Sequence, residues 1–337
     1  MLTISLQEPG RFERGERPEP RLAPGVALVR VHRVGVCGTD LHAFAGRQPF
    51  FTYPRILGHE LGVEVVDAGD DPQGLRPGDR CAVEPYLNCG RCGACRRGRV
   101  NCCSALQVLG VHVDGGMRPL LAVPARKLHP SARLGFDQLA LVETLGIGAH
   151  AVERAGLAPD DFVLVIGAGP IGLSVIQAAR VSGARLAVMD LSEARLEFCR
   201  SQLGVTDTLR PGPDAAAALA KLGGGEPPTC VIDATGSRQS MAGAFTHPAH
   251  GGRIVFVGLF QGDLAFNDPE FHRRELDVRG SRNSLPATFR NVIRLVEEGR
   301  LDTRPWITHR FALAEVPDVF AAKIAGDPAV LKAMIEV

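Results

Sequence analysis

The sequence predicts an α/β protein in which a β-rich domain accompanies a doubly wound parallel sheet. Three observations carry that expectation. Over the first ~135 residues, short runs alternate apolar and polar side chains between Pro/Gly turns, the mark of half-buried antiparallel strands. Beyond Asp137, short β-branched runs alternate with helical stretches, the order of a parallel sheet with crossover helices. A glycine-rich turn at 167–172 joins one of those runs to a helix.

The chain's 337 residues are enough for about two domains. Lys plus Arg (38) balance Asp plus Glu (37), leaving a net charge of +1, so no global field favours nucleic acid. No run approaches the ~20 uninterrupted apolar residues of a membrane span, and residues 1–13 lack a charged-then-apolar export pattern. The expectation is a cytoplasmic protein with no membrane or nucleic-acid partner. Hydrophobic residues at 45% and charged residues at 22% match globular usage and exclude general disorder.

Taken in order, the run 26–37 and the shorter runs 63–66 and Arg80–Val83 read as strands, with turns such as Arg76-Pro77-Gly78-Asp79 between them. A helical stretch covers 137–155. The expected strands of the parallel sheet are Phe162–Ile166, Arg185–Met189, 229–232 and 253–257. The expected helices are 171–182, Glu193–Leu203 and 237–248, with a short one at Ala215–Leu222 between surface connections. After Arg279 the alternation stops: 286–298 and 314–324 read as helices and 330–337 as a closing strand.

The turn Gly167-Ala168-Gly169-Pro170-Ile171-Gly172 has the context that a bare glycine pattern lacks, a strand before it and a helix after it. Gly167 suits the tight turn, Gly169 lets backbone approach a pyrophosphate, and Gly172 lets helix and strand pack closely. Pro170 and Ile171 open the helix whose N-terminus faces the phosphates. Asp190 ends the next expected strand, 18 residues after Gly172. A carboxylate there accepts both ribose hydroxyls of NAD and repels the 2′-phosphate of NADP, so NAD is expected over NADP. Arg195 can flank the adenosine end or lie on a solvated helix face. Thr235, Gly236 and Gly258 are expected to pass close to the cofactor, and Asp233 to stabilise the adjoining strand end.

Nine cysteines are present, and Cys89-x2-Cys92-x2-Cys95-x7-Cys103 crowds four of them into fifteen residues among Gly90, Gly93 and Gly98. Four thiolates in that spacing suit a tetrahedral, fully protein-ligated structural zinc. An iron–sulfur cluster is the alternative that spacing leaves open. Disulfides are disfavoured in a reducing compartment. Cys102 competes with Cys103 as fourth ligand and is assigned to a neighbouring position. Cys81, Cys199 and Cys230 read as small buried hydrophobes. Arg96, Arg97 and Arg99 read as a solvated face of the lobe.

A second cluster is open. Cys37-Gly38-Thr39-Asp40-Leu41-His42 and Gly58-His59-Glu60 offer a thiolate, an imidazole and a carboxylate at the ends of β-type segments, and Glu143 adds a carboxylate near the start of the dinucleotide half. Three protein ligands plus an exchangeable water define a catalytic zinc. The expected complement is therefore two zinc ions per subunit, one catalytic and one structural.

These segments, with the Gly-Ile-Gly-Ala-His run after Glu143 and the glycine fingerprint, occur in the order seen in zinc-dependent medium-chain dehydrogenases, and the resemblance covers essentially the whole chain. The carboxylate at Glu143 resembles the sorbitol and threonine dehydrogenase branch. Residues 50–55 and Leu109-Gly-Val-His-Val-Asp-Gly-Gly116 are similar to sugar-acid dehydrogenases acting on L-gulonate or L-galactonate. The resemblance implies a GroES-like catalytic domain over 1–146 with its zinc lobe at 86–104, a Rossmann NAD-binding domain over 147–279, and a return to the catalytic domain over 280–337. It also implies an active site in the cleft between domains, and homodimers or homotetramers. One departure stands out. The family places Gly at the third position after Glu60, where this chain has Val63, with Gly62 one earlier. That puts the local strand geometry in question.

Removing a hydride from a secondary alcohol requires an alkoxide-like oxygen, which a metal ion can supply. Thr39 can accept a hydrogen bond from the alcohol and His42 can pass the proton to solvent through the cofactor ribose. Asp40 reads as the carboxylate that orients His59. Glu60 can ligate the ion or sit behind it as a counter-charge, and Glu143 can bind directly or through water. His112, Arg118, Tyr53 and Arg55 are pocket candidates for a polar substrate, and the segment 280–283 borders cofactor or substrate. The substrate expected is a polyol or sugar acid. A small amino or diol alcohol, or a non-catalytic zinc and NAD sensor, are the rival readings.

Overall fold

The computed structural model describes residues 1–70 and 74–337, and the chain divides into two compact units, Met1–Glu143 with Leu285–Val337 and Thr144–Ser284. The divisions fall at 143/144 and 284/285, against the expected 146/147 and 279/280, and only the first two residues of the helix Val142–Ala155 belong to the first unit.

The first unit is built on a sheet with strand order Leu128–Pro130, Arg80–Val83, Glu60–Asp67, Val26–Gly35, Lys332–Glu336 and Ile307–Ala312, with Leu120–Pro124 paired to Val26–Gly35. In Val26–Gly35 alternate residues Ala27, Val29 and Val31 are buried with Val63, Leu121 and Ile335, which is how period-two patterning builds a one-sided core. Pairing is antiparallel, as expected for the leading residues, except between Ile307–Ala312 and Lys332–Glu336, which run parallel. The strand Ile307–Ala312 was not anticipated: its burial alternates only between half-buried and exposed, so no apolar period marks it.

Gly62 resolves the departure near Glu60. A Cβ at Gly62 would sit 2.1 Å from the carbonyl oxygen of Phe136, so glycine at this position lets the helix Phe136–Ala140 lie directly on the strand. The stretch 137–155, read as one helix, is two: Phe136–Ala140 and Val142–Ala155, separated at Leu141. Likewise 314–324 breaks into a 3-10 turn Leu313–Glu315, a helix Val316–Val319 and a π-turn Phe320–Ala325.

The second unit holds a six-stranded parallel sheet in the order Asp207–Leu209, Arg185–Met189, Phe162–Ile166, Cys230–Asp233, Arg253–Phe256, Asp277–Gly280. The order reverses between Phe162–Ile166 and Cys230–Asp233, the switch point at which such sheets bind ligands. Two strands escaped the sequence reading, Asp207–Leu209 and Asp277–Gly280. Both are short, polar and close to an edge, so no buried β-branched run announces them. The stretch 237–248 is shorter as a helix, Arg238–Gly243 followed by the 3-10 turn Ala244–Thr246. Among the described residues no helix is long and apolar enough to cross a membrane.

Candidate active site

The open cluster forms within the first unit. Cys37 caps the helix Gly38–Phe44, and its backbone N–H donates to Asp40 Oδ2 at 2.9 Å, which fixes the turn that presents the thiol. His59 and Glu60 stand at the start of Glu60–Asp67. Gly58 (φ +98°) makes room for the lobe 109–117, whose backbone comes so close that a Cβ at Gly110 or Gly115 would meet Gly58 at 2.8 or 2.3 Å. The lobe is pinned by Gly116 N–H to Gly58 O (2.9 Å) and Met117 N–H to Leu57 O (3.0 Å). One donor atom each from Cys37, His59 and Glu60 then lies within 4.8 Å of the others.

The electrostatics fit a cation. Burial lowers the pKa of His59, but the charges of Cys37, Asp40 and Glu143 together outweigh it and hold the imidazole well above its ordinary value. Buried His59 Nδ1, Asp40 Oδ1 and Glu60 Oε2 have no hydrogen-bond partner. Asp40 does not hydrogen-bond the imidazole: its Oδ1 stands 3.8 Å from His59 Nδ1, an ion-pair separation, while its Oδ2 is engaged by Cys37. An anionic pocket with orphaned nitrogen and oxygen donors, one thiol and one imidazole matches the ligand chemistry of zinc.

Two neighbours of this cluster carried no motif. Lys332, on the closing strand, is buried and donates to Glu60 Oε1 at 2.6 Å and to Val36 O at 3.0 Å. Burial lowers its pKa, and Glu60, Cys37 and Glu143 more than compensate. Tyr86, on the two-residue strand Tyr86–Leu87, donates its phenol proton to Glu143 Oε1. Glu143 lies in the first turn of Val142–Ala155, where the helix dipole favours a carboxylate. It stands outside the three-residue group, close enough to raise the pKa of His59. Thr39 and His42 sit three apart on Gly38–Phe44 and so share a helix face. Burial and then Arg47 lower the His42 pKa from its ordinary value, which favours the neutral ring.

Cys89, Cys92, Cys95 and Cys103 gather their sulfurs within 4.8 Å, while Cys102 is exposed. The Cys89 N–H donates to Cys103 Sγ (3.3 Å). The backbone amides of Cys95 and Ser104 draw the Cys92 thiol down to about 5, and burial and the sulfurs of Cys92 and Cys103 push Cys95 up to about 11. A divalent cation would hold all four as thiolates.

In the second unit the glycine turn has the expected sterics. Gly167 has φ +95°, Gly169 caps the helix Pro170–Val181 with Pro170 and Ile171 opening it, and a Cβ at Gly172 would fall 1.7 Å from Gly167 O. Asp190 accepts the N–H of Ala168 (2.6 Å) and of Ser192 (2.7 Å), so its carboxylate is tied to the glycine turn. The Arg195 guanidinium lies beside Gly169, 3.6 Å from where its Cβ would be. Asp233, buried, accepts from Thr235 N–H and Oγ1 and from Ser240 Oγ, which sets the Thr235–Gly236 turn. A Cβ at Gly258 would meet Gly236 N at 2.2 Å, so the two loops touch backbone to backbone.

The polar pocket candidates are engaged in loop packing. Arg55 donates to Asp114 (3.3 Å) and Thr52 (2.9 Å), Tyr53 to Ala43 O (2.5 Å), and His112 Nδ1 accepts Val108 N–H (3.1 Å). Arg118 is half-buried, and burial lowers its pKa. Asn283 adopts φ +53° with its buried Nδ2 unpartnered.

A group of Cys, His and Glu able to hold a metal ion in one unit, and a glycine turn with a strand-end carboxylate in the other, fit the class of zinc- and nicotinamide-dependent dehydrogenases. The alcohol dehydrogenase GroES-like domain matches residues 23–133 and the zinc-binding dehydrogenase domain residues 170–298, so the chain belongs to the zinc-binding alcohol dehydrogenase family, medium-chain type. It is 40% identical to the L-galactonate-5-dehydrogenase of Escherichia coli K12 over 99% of this chain and 98% of that one, within the sorbitol and sugar-acid branch. The RspB alcohol dehydrogenase of Escherichia coli CFT073, solved with NADH, superposes with a TM-score of 0.93 at 29% identity, covering 100% and 99% of the two chains. A zinc-binding dehydrogenase of Sinorhizobium meliloti 1021 bound to NADP gives 0.91 at 29% identity over 100% and 99%. The protein is thus an alcohol or polyol dehydrogenase with zinc and a nicotinamide cofactor, acting on a small molecule.

Proposed function

We propose that the protein reversibly oxidises a secondary hydroxyl of a polyol or sugar acid to a ketone while reducing NAD, which it prefers to NADP. It does so as a cytoplasmic homodimer or homotetramer with two zinc ions per subunit. The observation that carries the reading is the group of half-buried Cys37 with buried His59 and Glu60, and its unpartnered His59 Nδ1 and Glu60 Oε2. The substrate class is supported by the likeness to L-galactonate-5-dehydrogenase. NAD preference is supported by the Asp190 carboxylate beside the glycine turn.

Cys37, His59 and Glu60 would hold the zinc, which would supply the acidity an alcohol lacks by stabilising the alkoxide-like form of its hydroxyl. Thr39 Oγ1 accepts a hydrogen bond from the hydroxyl, and His42, one turn along the same face, passes the proton towards solvent. Lys332 holds Glu60 in place. Asp190 receives the ribose hydroxyls, and the N-terminus of Pro170–Val181 receives the pyrophosphate.

The test is reduced-nicotinamide formation across aldonates, hexitols, butanediol and threonine with NAD and NADP, with zinc measured on the same sample. Sugar acids or polyols with NAD should give the highest kcat/KM. Faster turnover of the small alcohols would overturn the substrate class, and no turnover by zinc-replete protein would overturn catalysis.

A further inference from the structure

We infer that Tyr86 is a positioning residue for the metal centre, holding Glu143 one step out from the Cys37–His59–Glu60 group. This inference rests on the proposed metal reading of that group. Tyr86 is 2% exposed, and a phenol has one proton to give, so it engages a single oxygen of Glu143, Oε1. The other carboxylate oxygen is left to serve the ion or its water. The phenol is itself immobilised. The edge of the Tyr86 ring packs on Phe289 (centroids 6.2 Å apart, planes at 82°), and Phe289 stacks on His129 (5.1 Å). His129 meets Glu84 Oε2 at 3.1 Å, and Glu84 is salt-bridged to buried Lys127. The strand is short but paired, Tyr86 opposite Val108. A chain of buried contacts from Lys127 to Tyr86 therefore ends on Glu143, which, like Asp40, lies just outside the ligand group.

The consequence is a division of labour between the two glutamates. Glu60 is held inside the group by Lys332, and Glu143 is held outside it by Tyr86. Without the phenol, Glu143 is free to turn about its side-chain bonds and the coordination changes. Outer partners of metal ligands typically affect affinity or activity by 10- to 100-fold.

The experiment compares wild type, Tyr86→Phe, Glu143→Ala and the double variant. Zinc affinity is read by chelator competition and coordination by the visible spectrum of the cobalt-substituted protein, with Cys37→Ser marking the signal of this site. Tyr86→Phe should change the zinc Kd of the Cys37-dependent site by about tenfold or more and alter the cobalt spectrum, and in the Glu143→Ala background it should do neither. Its melting temperature should fall by only a few degrees, since Phe keeps the ring packing and the loss is confined to one hydrogen bond to Glu143. An unchanged Kd and spectrum in Tyr86→Phe overturns the proposal, as does an equal change in both backgrounds, which would mean that Tyr86 acts by packing. Wild-type protein without a Cys37-dependent metal overturns both this inference and the metal reading. Metal binding that ignores Tyr86 overturns this inference alone.

Discussion

Replacing Lys332 with Met tests whether Glu60 is held by a buried charge pair. Both side chains are 1% exposed, with Nζ 2.6 Å from Oε1. Gly35 stands between the strands that carry them, and the side chain it lacks would fall 2.1 Å from Glu60 Oε2, so the glycine makes the room that the carboxylate, fully buried from water, occupies. Taking one partner from a buried pair costs about 3–5 kcal/mol, because the other charge is left uncompensated. For a unit of this size each kcal/mol moves the melting temperature by roughly 2–4 °C, so the metal-free Lys332→Met protein should melt about 6–20 °C lower. Adding Glu60→Gln should recover most of the loss, since a neutral amide needs no counter-charge. Zinc should also restore part of it in Lys332→Met, because the cation replaces the missing positive charge. The assay is thermal unfolding by circular dichroism with and without chelator. A loss below about 1 kcal/mol, or a double variant no better than the single, would refute the argument, because the pair would then behave as a solvated one.

Asp190→Asn should shrink the NAD over NADP preference by about ten- to hundredfold in kcat/KM, the worth of a charge-assisted hydrogen bond, and an unchanged ratio would remove Asp190 from cofactor choice. Cys92→Ser should lose about one zinc equivalent per chain and lower thermal stability while leaving kcat per folded molecule within about twofold; a stable variant with full zinc would contradict a structural lobe. Asp161→Asn should destabilise at neutral pH. Burial alone would raise the Asp161 pKa, but Arg253, Thr229 Oγ1 and the Ala158 N–H outweigh it and hold it below its ordinary 3.8. A depressed carboxylate contributes stability above its unfolded value and loses it as pH falls through the folded one. The gap between variant and wild type should therefore close below pH 3.8, and a gap constant with pH would refute the role.

Much of the chemistry was legible from the chain alone wherever the physics is local. The turn at Gly167, Gly169 and Gly172 needs a positive φ at Gly167 and a missing Cβ at Gly172, and Cys89, Cys92 and Cys95 converge because three-residue spacings fold back over a single turn. The burial that separates Cys103 from Cys102, and the placing of Asp40 between the Cys37 amide and the His59 ring, 3.8 Å from Nδ1, come from the fold.

By itself the sequence determined which short stretches can grip a metal ion or a dinucleotide, since those abilities follow from backbone sterics and donor chemistry over a few neighbouring residues. The tertiary structure alone decided which carboxylate stands inside the metal-binding group and which stands outside it. Lys332 reaches Glu60 across 272 residues and Tyr86 reaches Glu143 across 57, and no periodicity or spacing records such a meeting. Those partners are chosen by sheet order and close packing, which bring distant charges into a dry interior where each must find its counterpart.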